Sequence, residues 1–184
     1  MAKTLIVDLC KDKNSLHYDE FVKPVEDIVE PNSRYSTVHF KELPKEDLKQ
    51  YKKIILCGVA LKDFEYINNI EHFKNLKQTS SCILGICAGA HVIGKLYDCP
   101  MEEGKEIGLI KIDIKKQDKI LQSTNLSEIY SLHSLYINPS NDFEIIATSS
   151  NYPQILKHKK KNIYAILFHP EVRNKEIITN FINL

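Results

Sequence analysis

The segment "ILGICAGAHVIG", residues 83–94, sets a cysteine between two glycines directly after an apolar run. Gly85, Cys87 and Gly89 have the spacing of a nucleophile elbow, in which a strand turns sharply into a helix and the central side chain projects above a sheet. A thiol at a helix N-terminus is favoured as thiolate by unpaired backbone N–H groups and the helix dipole. The same residues also suit a small buried cysteine packed beneath a helix, and the elbow alone does not choose between the two. "LFHPEV", residues 167–172, supplies what a nucleophilic thiol needs. His169 is a base able to take the thiol proton and return it to a leaving group, and Glu171 is an acceptor able to orient the imidazole. Residues i and i+2 of an extended segment point the same way, and Pro170 stiffens the link between them.

Such residues work only if strand ends bring them together. "TLIVDL" (4–9), "KIILCG" (53–58) and "CILGIC" (82–87) are short apolar runs of the kind buried on both faces of a parallel sheet, and "STVHF" (36–40) is a further strand. Helical patterns alternate with them. The spacing predicts a helix over 18–30 that Pro24 kinks or restarts, a short one over 43–51 with Pro44 near its start, and a longer amphipathic one over 64–78. Strand–helix alternation is the signature of a right-handed α/β unit. Beyond residue 100, "IGLIKIDI", "EIYSLHS", "FEIIATS" and "NIYAILF" read as strands with polar turns between them, and "RNKEIITNFINL" as a closing helix. The expected fold is α/β: a mostly parallel central sheet flanked by helices, with a β-rich C-terminal half, in one domain over residues 1–184. Gly104 and Gly108 read as ordinary turn glycines. "LKHKKKN" (156–162) reads as a solvated hairpin tip, with a docking patch as its alternative.

Composition narrows the function classes. A net charge of +1 over 184 residues gives no basic field for nucleic acid or an anionic membrane. No apolar run reaches membrane-spanning length and the N-terminus lacks a signal peptide pattern, so a soluble protein is expected. Five cysteines, an odd number without a C-x-x-C pair, suit free thiols in a reducing cytoplasm. His17, His39, His72 and His158 have no cysteine or carboxylate at metal-ligand spacing, so no metal is expected, and nothing calls for a cofactor.

The elbow and "FHPEV", with "EIGLIKI" (106–112), "SLHS" (131–134) and "FEIIATS" (143–149), resemble the class I glutamine amidotransferases over nearly the whole chain. These are Cys-His-Glu glutaminase domains that supply ammonia to synthetases. In size and layout the nearest group is the stand-alone glutaminase subunit of two-chain GMP synthases, and the glutaminase subunit that makes pyridoxal phosphate is a second candidate. The resemblance implies that Cys87 attacks the glutamine carboxamide to form a γ-glutamyl thioester, that His169 moves the proton to ammonia, and that Glu171 orients His169. It places the oxyanion between the backbone N–H of Ala88 and one from Gly58-Val59. It also implies a separate synthetase subunit, since no G-x-x-x-x-G-K-[ST] phosphate loop occurs here.

The chain departs from the family pattern at four places. His91 stands where most members carry glutamine, Gly58-Val59-Ala60 where the oxyanion loop reads G-G, His133-Ser134-Leu135 where H-G-D is usual, and Leu167 where glutamine often precedes F-H-P-E. His91, one helical turn after Cys87, has three readings: it lines the pocket, contacts the substrate or tunes the thiol, against a histidine satisfied by local packing. His133 reads as a pocket-rim or partner-facing residue, or again as packing. The departures leave two alternatives: a stand-alone hydrolase of γ-glutamyl or other C–N bonds, or a non-catalytic homologue that binds a regulatory partner.

Overall fold

In a computed structural model, which describes residues 3–184, the apolar runs become neighbouring strands of one sheet. In chain order the elements are β1 (Lys3–Asp8), α1 (Leu16–Phe21), α2 (Lys23–Val29), β2 (Arg34–His39), β3 (Lys53–Leu56), α3 (Glu65–Asn68), β4 (Cys82–Ile86) and α4 (Ala88–Leu96). There follow β5 (Met101–Lys111), β6 (Asp113–Ile114), β7 (Glu128–Ile137), β8 (Phe143–Thr148), β9 (Pro153–His158), β10 (Ile163–Ile166) and α5 (Glu176–Ile182). The main sheet has eight strands in the order β2-β1-β3-β4-β10-β9-β8-β6. It is parallel from β2 to β10 and antiparallel from β10 to β6. This is the expected α/β architecture with a β-rich C-terminal half. Strands β5 and β7 pair with each other in a separate two-stranded antiparallel ribbon.

The central parallel strands β3, β4 and β10 are buried almost throughout because helices cover the sheet, whereas the edge strand β2 is only part-buried. Ile54, Ile55, Leu56, Ile83, Leu84 and Ile86 are at most 1% exposed. One helical group, α2 with α5, packs together; another sets α4 against β4, β10, α3 and the β7 wall. Helix α4 is apolar nearly all round and buried apart from Lys95, as a helix enclosed on all sides must be. Phe168, fully buried beside the strand end that carries His169, illustrates the packing: truncating such a ring to alanine costs about 3–5 kcal/mol. No helix among the described residues is long and apolar enough to cross a membrane.

Of the local expectations, the restart near Pro24 and the solvated tip at 159–161 are met, and those over 43–51, over 64–78 and at Gly104 and Gly108 are corrected. Residues 18–30 form two helices, α2 restarting at Lys23 with Pro24 in its first turn, where a missing N–H costs nothing. The helix expected over 43–51 is two 3-10 turns, Leu43–Lys45 and Leu48–Gln50, separated at Asp47, whose carboxylate caps Lys49 N–H at 3.1 Å. The helix expected over 64–78 breaks at Asn69 into α3 and a 3-10 segment, Ile70–Lys77. There the Asn69 side-chain amide donates to Glu65 O at 2.9 Å, a local bond that competes with the helical ladder. Gly104 and Gly108 are not turn residues; both lie inside β5, beside and beyond an irregularity between Glu103 and Glu106. The lysines at 159–161 are exposed between β9 and β10, as a solvated tip.

Candidate active site

Three neighbouring parallel strands deliver the reactive residues to one edge. Leu56 of β3 pairs with Gly85 of β4, and Ile86 of β4 pairs with Ile166 of β10. The residues that follow, Cys57-Gly58, Cys87 and Leu167 to His169, therefore leave the sheet side by side. Ligands bind outside the carboxyl ends of such strands. Cys87 N–H donates to Ile166 O at 2.7 Å, which ties the elbow to the strand that carries His169.

Cys87 turns at φ +48, ψ −100 and is the N-cap of α4. A side chain in that left-handed conformation stores strain of about 1–3 kcal/mol, which the surrounding packing has to overcome. Gly89 allows it: a β-carbon there would lie 2.3 Å from Leu56 O, so α4 could not approach β3 closely enough to close the turn. Cys87 is 5% exposed, and its Sγ donates to Leu132 O at 3.5 Å.

His169 is buried, and its Nδ1 lies 2.6 Å from Glu171 Oε1, which assigns Nδ1 as the protonated nitrogen. Backbone placement comes from His169 N–H donating to Tyr130 O at 2.9 Å, and the Phe21 ring packs 5.6 Å from the imidazole. Burial alone would lower the imidazole pKa. The charges of Glu171 and Cys87 outweigh it and hold His169 well above its ordinary value. Its Nε2 has no hydrogen-bond partner among the described residues, and the Cys87 sulfur rests on Leu132 O.

Cys87 opens into a cavity of about 10 Å3, room for about one water molecule. Val59, Ala88, His91 and His133 line it with the thiol. Gly58 stands behind, against His169. A cleft of about 420 Å3 adjoins the cavity and shares Ala60, Asp63 and Phe64 with it.

His91 is committed on both ring nitrogens. Nε2 donates to Leu135 O at 3.1 Å, which leaves Nδ1 to accept from Tyr66 Oη at 2.7 Å. Burial pushes its pKa down to about 4 against the pull of Leu135 O, and His133 lowers it further. His133 donates from Nδ1 to Gly104 O at 3.0 Å and sits opposite Glu106. Tyr66 is a site-forming residue that no sequence motif singles out, and Glu106 is one that "EIGLIKI" contains without marking a role for it. Tyr66 carries no local signal, whereas Glu106 leaves one trace, an acid on the buried face of a strand.

The arrangement offers a thiol at a strained turn, a buried histidine–carboxylate pair on the adjacent strand end, and backbone N–H groups from two turns: the components of acyl transfer through a thiol. The family model described as glutamine amidotransferase class-I matches residues 17–183. The glutamine-hydrolyzing GMP synthase of Sulfurisphaera tokodaii has a subunit that is 31% identical over 151 residues, covering 77% of this chain and 80% of that protein. The longer glutamine-hydrolyzing GMP synthase of Ruminiclostridium cellulolyticum is 31% identical over 109 residues, and the match spans only 21% of it. In fold, the chain is similar to a solved Thermoplasma acidophilum protein assigned as a GMP synthase subunit, with a TM-score of 0.86 at 24% identity, covering 100% of this chain and 93% of that one.

Proposed function

The chain belongs to the class I glutamine amidotransferases, and from that premise we propose that it hydrolyses glutamine to glutamate and ammonia and hands the ammonia to a separate synthetase subunit. The observation that carries this reading is Cys87 at a positive-φ elbow, with the His169–Glu171 pair held on the adjacent strand end. Cys87 Sγ attacks the γ-carboxamide carbon while His169 takes the thiol proton at Nε2. The negative oxygen that forms is held by the N–H of Ala88, free of any intrahelical partner in the first turn of α4, and by one from Gly58-Val59. His169 then protonates the departing ammonia, leaving a γ-glutamyl thioester. Water, activated by the same imidazole, hydrolyses it to glutamate and restores the thiol. Glu171 keeps Nδ1 protonated, so that Nε2 faces the chemistry.

A cavity of about 10 Å3 does not admit glutamine, so entry requires the chamber to widen towards the adjoining cleft. The likeness to the Sulfurisphaera tokodaii GMP synthase subunit names GMP synthase as the synthetase in this reading. Five free thiols support a reducing, cytoplasmic setting, and a single amidotransferase-like domain over residues 1–184 completes the reading. Purified protein, alone and with a candidate synthetase, is expected to release glutamate and ammonia from glutamine, and Cys87→Ser to abolish the release. Full activity in Cys87→Ser would remove the thiol from the mechanism.

One observation favours a second reading, a stand-alone hydrolase of γ-glutamyl compounds. At the position where a glutamine side chain is usual, His91 has no free ring nitrogen to offer a substrate. Turnover of γ-glutamyl peptides in preference to glutamine, without any partner, would select it.

A further inference from the structure

Among the stretches that resemble the family, "EIGLIKI" takes no part in the chemistry of Cys87, His169 and Glu171. Its first residue, Glu106, is only 5% exposed. The carboxylate accepts from Ser149 Oγ at 2.9 Å, Asn151 Nδ2 at 3.0 Å and Gln154 Nε2 at 2.8 Å, all neutral donors. Among the described residues, the one basic side chain within ion-pair distance is His133, whose Nε2 lies 3.7 Å from Oε2. A buried carboxylate without a lysine or arginine is costly, and its weakly screened field falls on that imidazole.

His133 occupies the middle of a strand on which the site leans. Tyr130 O accepts from His169 N–H at 2.9 Å, Leu132 O from Cys87 Sγ at 3.5 Å, and Leu135 O from His91 Nε2 at 3.1 Å. Three site residues thus take their positions from carbonyls of β7. His133, facing Glu106 across the ribbon, is pinned by Gly104 O just where β5 loses its regular register. The bonds of Ser149 and Asn151, in the turn between β8 and β9, and of Gln154, in β9, to Glu106 join this ribbon to the main sheet.

We propose that Glu106 is a positioning residue for the Cys87 chamber, acting through His133 to fix the β7 wall that holds Cys87, His91 and His169. This rests on the amidotransferase reading above. The groups facing His133 are Glu106 from β5, Cys87 from the elbow, His91 from α4, His169 after β10 and the Tyr152 ring, 5.7 Å away, from the β8–β9 turn. Burial lowers the imidazole pKa, Gly104 O and Glu106 pull it up, and His169 pushes it down. Removing the carboxylate charge therefore keeps His133 neutral to a more acidic pH.

The test compares wild type, Glu106→Gln, His133→Asn and the double variant by the rate at which iodoacetamide alkylates Cys87, read by mass spectrometry, and by histidine ring NMR. Glu106→Gln is expected to change the alkylation rate by about tenfold, because small misplacements at a reacting atom are expensive. It should also move the His133 titration midpoint to lower pH. The double variant should change the rate no more than the larger single effect, since the two residues act as one unit. An unmoved His133 midpoint, or single effects that multiply in the double variant, would overturn the proposal. Should Glu106→Gln fail to fold, Glu106→Asp keeps the charge at shorter reach. It should leave the midpoint nearer the wild-type value while still changing the alkylation rate, and a rate equal to wild type would overturn the proposal. These readouts need no glutamine: a chain that shows them yet never hydrolyses glutamine with a synthetase would refute the amidotransferase reading and leave the positioning role standing.

Discussion

Gly58 and His169 touch so closely that a β-carbon on Gly58 would lie 2.6 Å from the imidazole Cε1 and 3.2 Å from Nδ1. The turn after β3 and the imidazole after β10 are therefore fitted to each other, although a strand lies between theirs in the sheet. Gly58→Ala should displace the ring rather than the fold, lowering kcat/KM for glutamine by about a hundredfold. Steady-state kinetics with a thermal melt checks it; an active variant would mean that the ring has room to retreat.

Glu171→Gln removes the charge that, with Cys87, overrides the effect of burial on His169. Because the folded imidazole pKa stands above the unfolded value, its contribution to stability is complete below about pH 6.5. That contribution is lost as pH rises through the folded value. The variant should show a flatter fall of the melting temperature on the alkaline side, together with a large loss of kcat. A melting profile parallel to wild type would show that Glu171 does not set the charge of His169.

His91 works in the opposite sense. Its folded pKa is pushed down to about 4, so the stability tied to the neutral ring is complete above about pH 6.5 and lost as pH falls towards 4. The loss is of order 3 kcal/mol by linkage. His91→Gln is expected to soften acid unfolding over that window, as followed by urea titrations at several pH values. An unchanged acid profile would place the acid sensitivity elsewhere.

Thiol labelling should be selective. Burial pushes the Cys57 thiol well above its ordinary range, and burial with the nearby Asp8 carboxylate does the same for Cys10. An electrophilic glutamine analogue is expected to modify Cys87 while Cys10 and Cys57 stay free, as read by peptide mass spectrometry. Equal labelling of all five would argue for a non-catalytic homologue.

The parallel strands are legible in the sequence because a strand buried on both faces leaves an uninterrupted apolar run, as over 53–58 and 82–87. The segments 43–51 and 64–78 are not. Asp47 and Asn69 offer the backbone local side-chain bonds, and apolar spacing does not separate a 3-10 turn from an α-helix. The elbow and "FHPEV" are visible because each is a contiguous signature. Tyr66, Glu106 and the carbonyls of Tyr130, Leu132 and Leu135 are hidden because they reach the site residues only through contacts between segments distant in the chain.

The thiol and its base hang from the eight-stranded sheet, while the wall opposite them belongs to the two-stranded ribbon. No strand ladder joins one sheet to the other among the described residues; the ribbon meets the site through single bonds, such as His169 N–H to Tyr130 O, so substitutions on the ribbon side alter the shape of the chamber while the strand pairing of the main sheet stays intact. Such a division lets one catalytic engine be refitted for a different cargo or a different neighbour. The unfamiliar residues at His91 and at His133 to Leu135 lie along that seam.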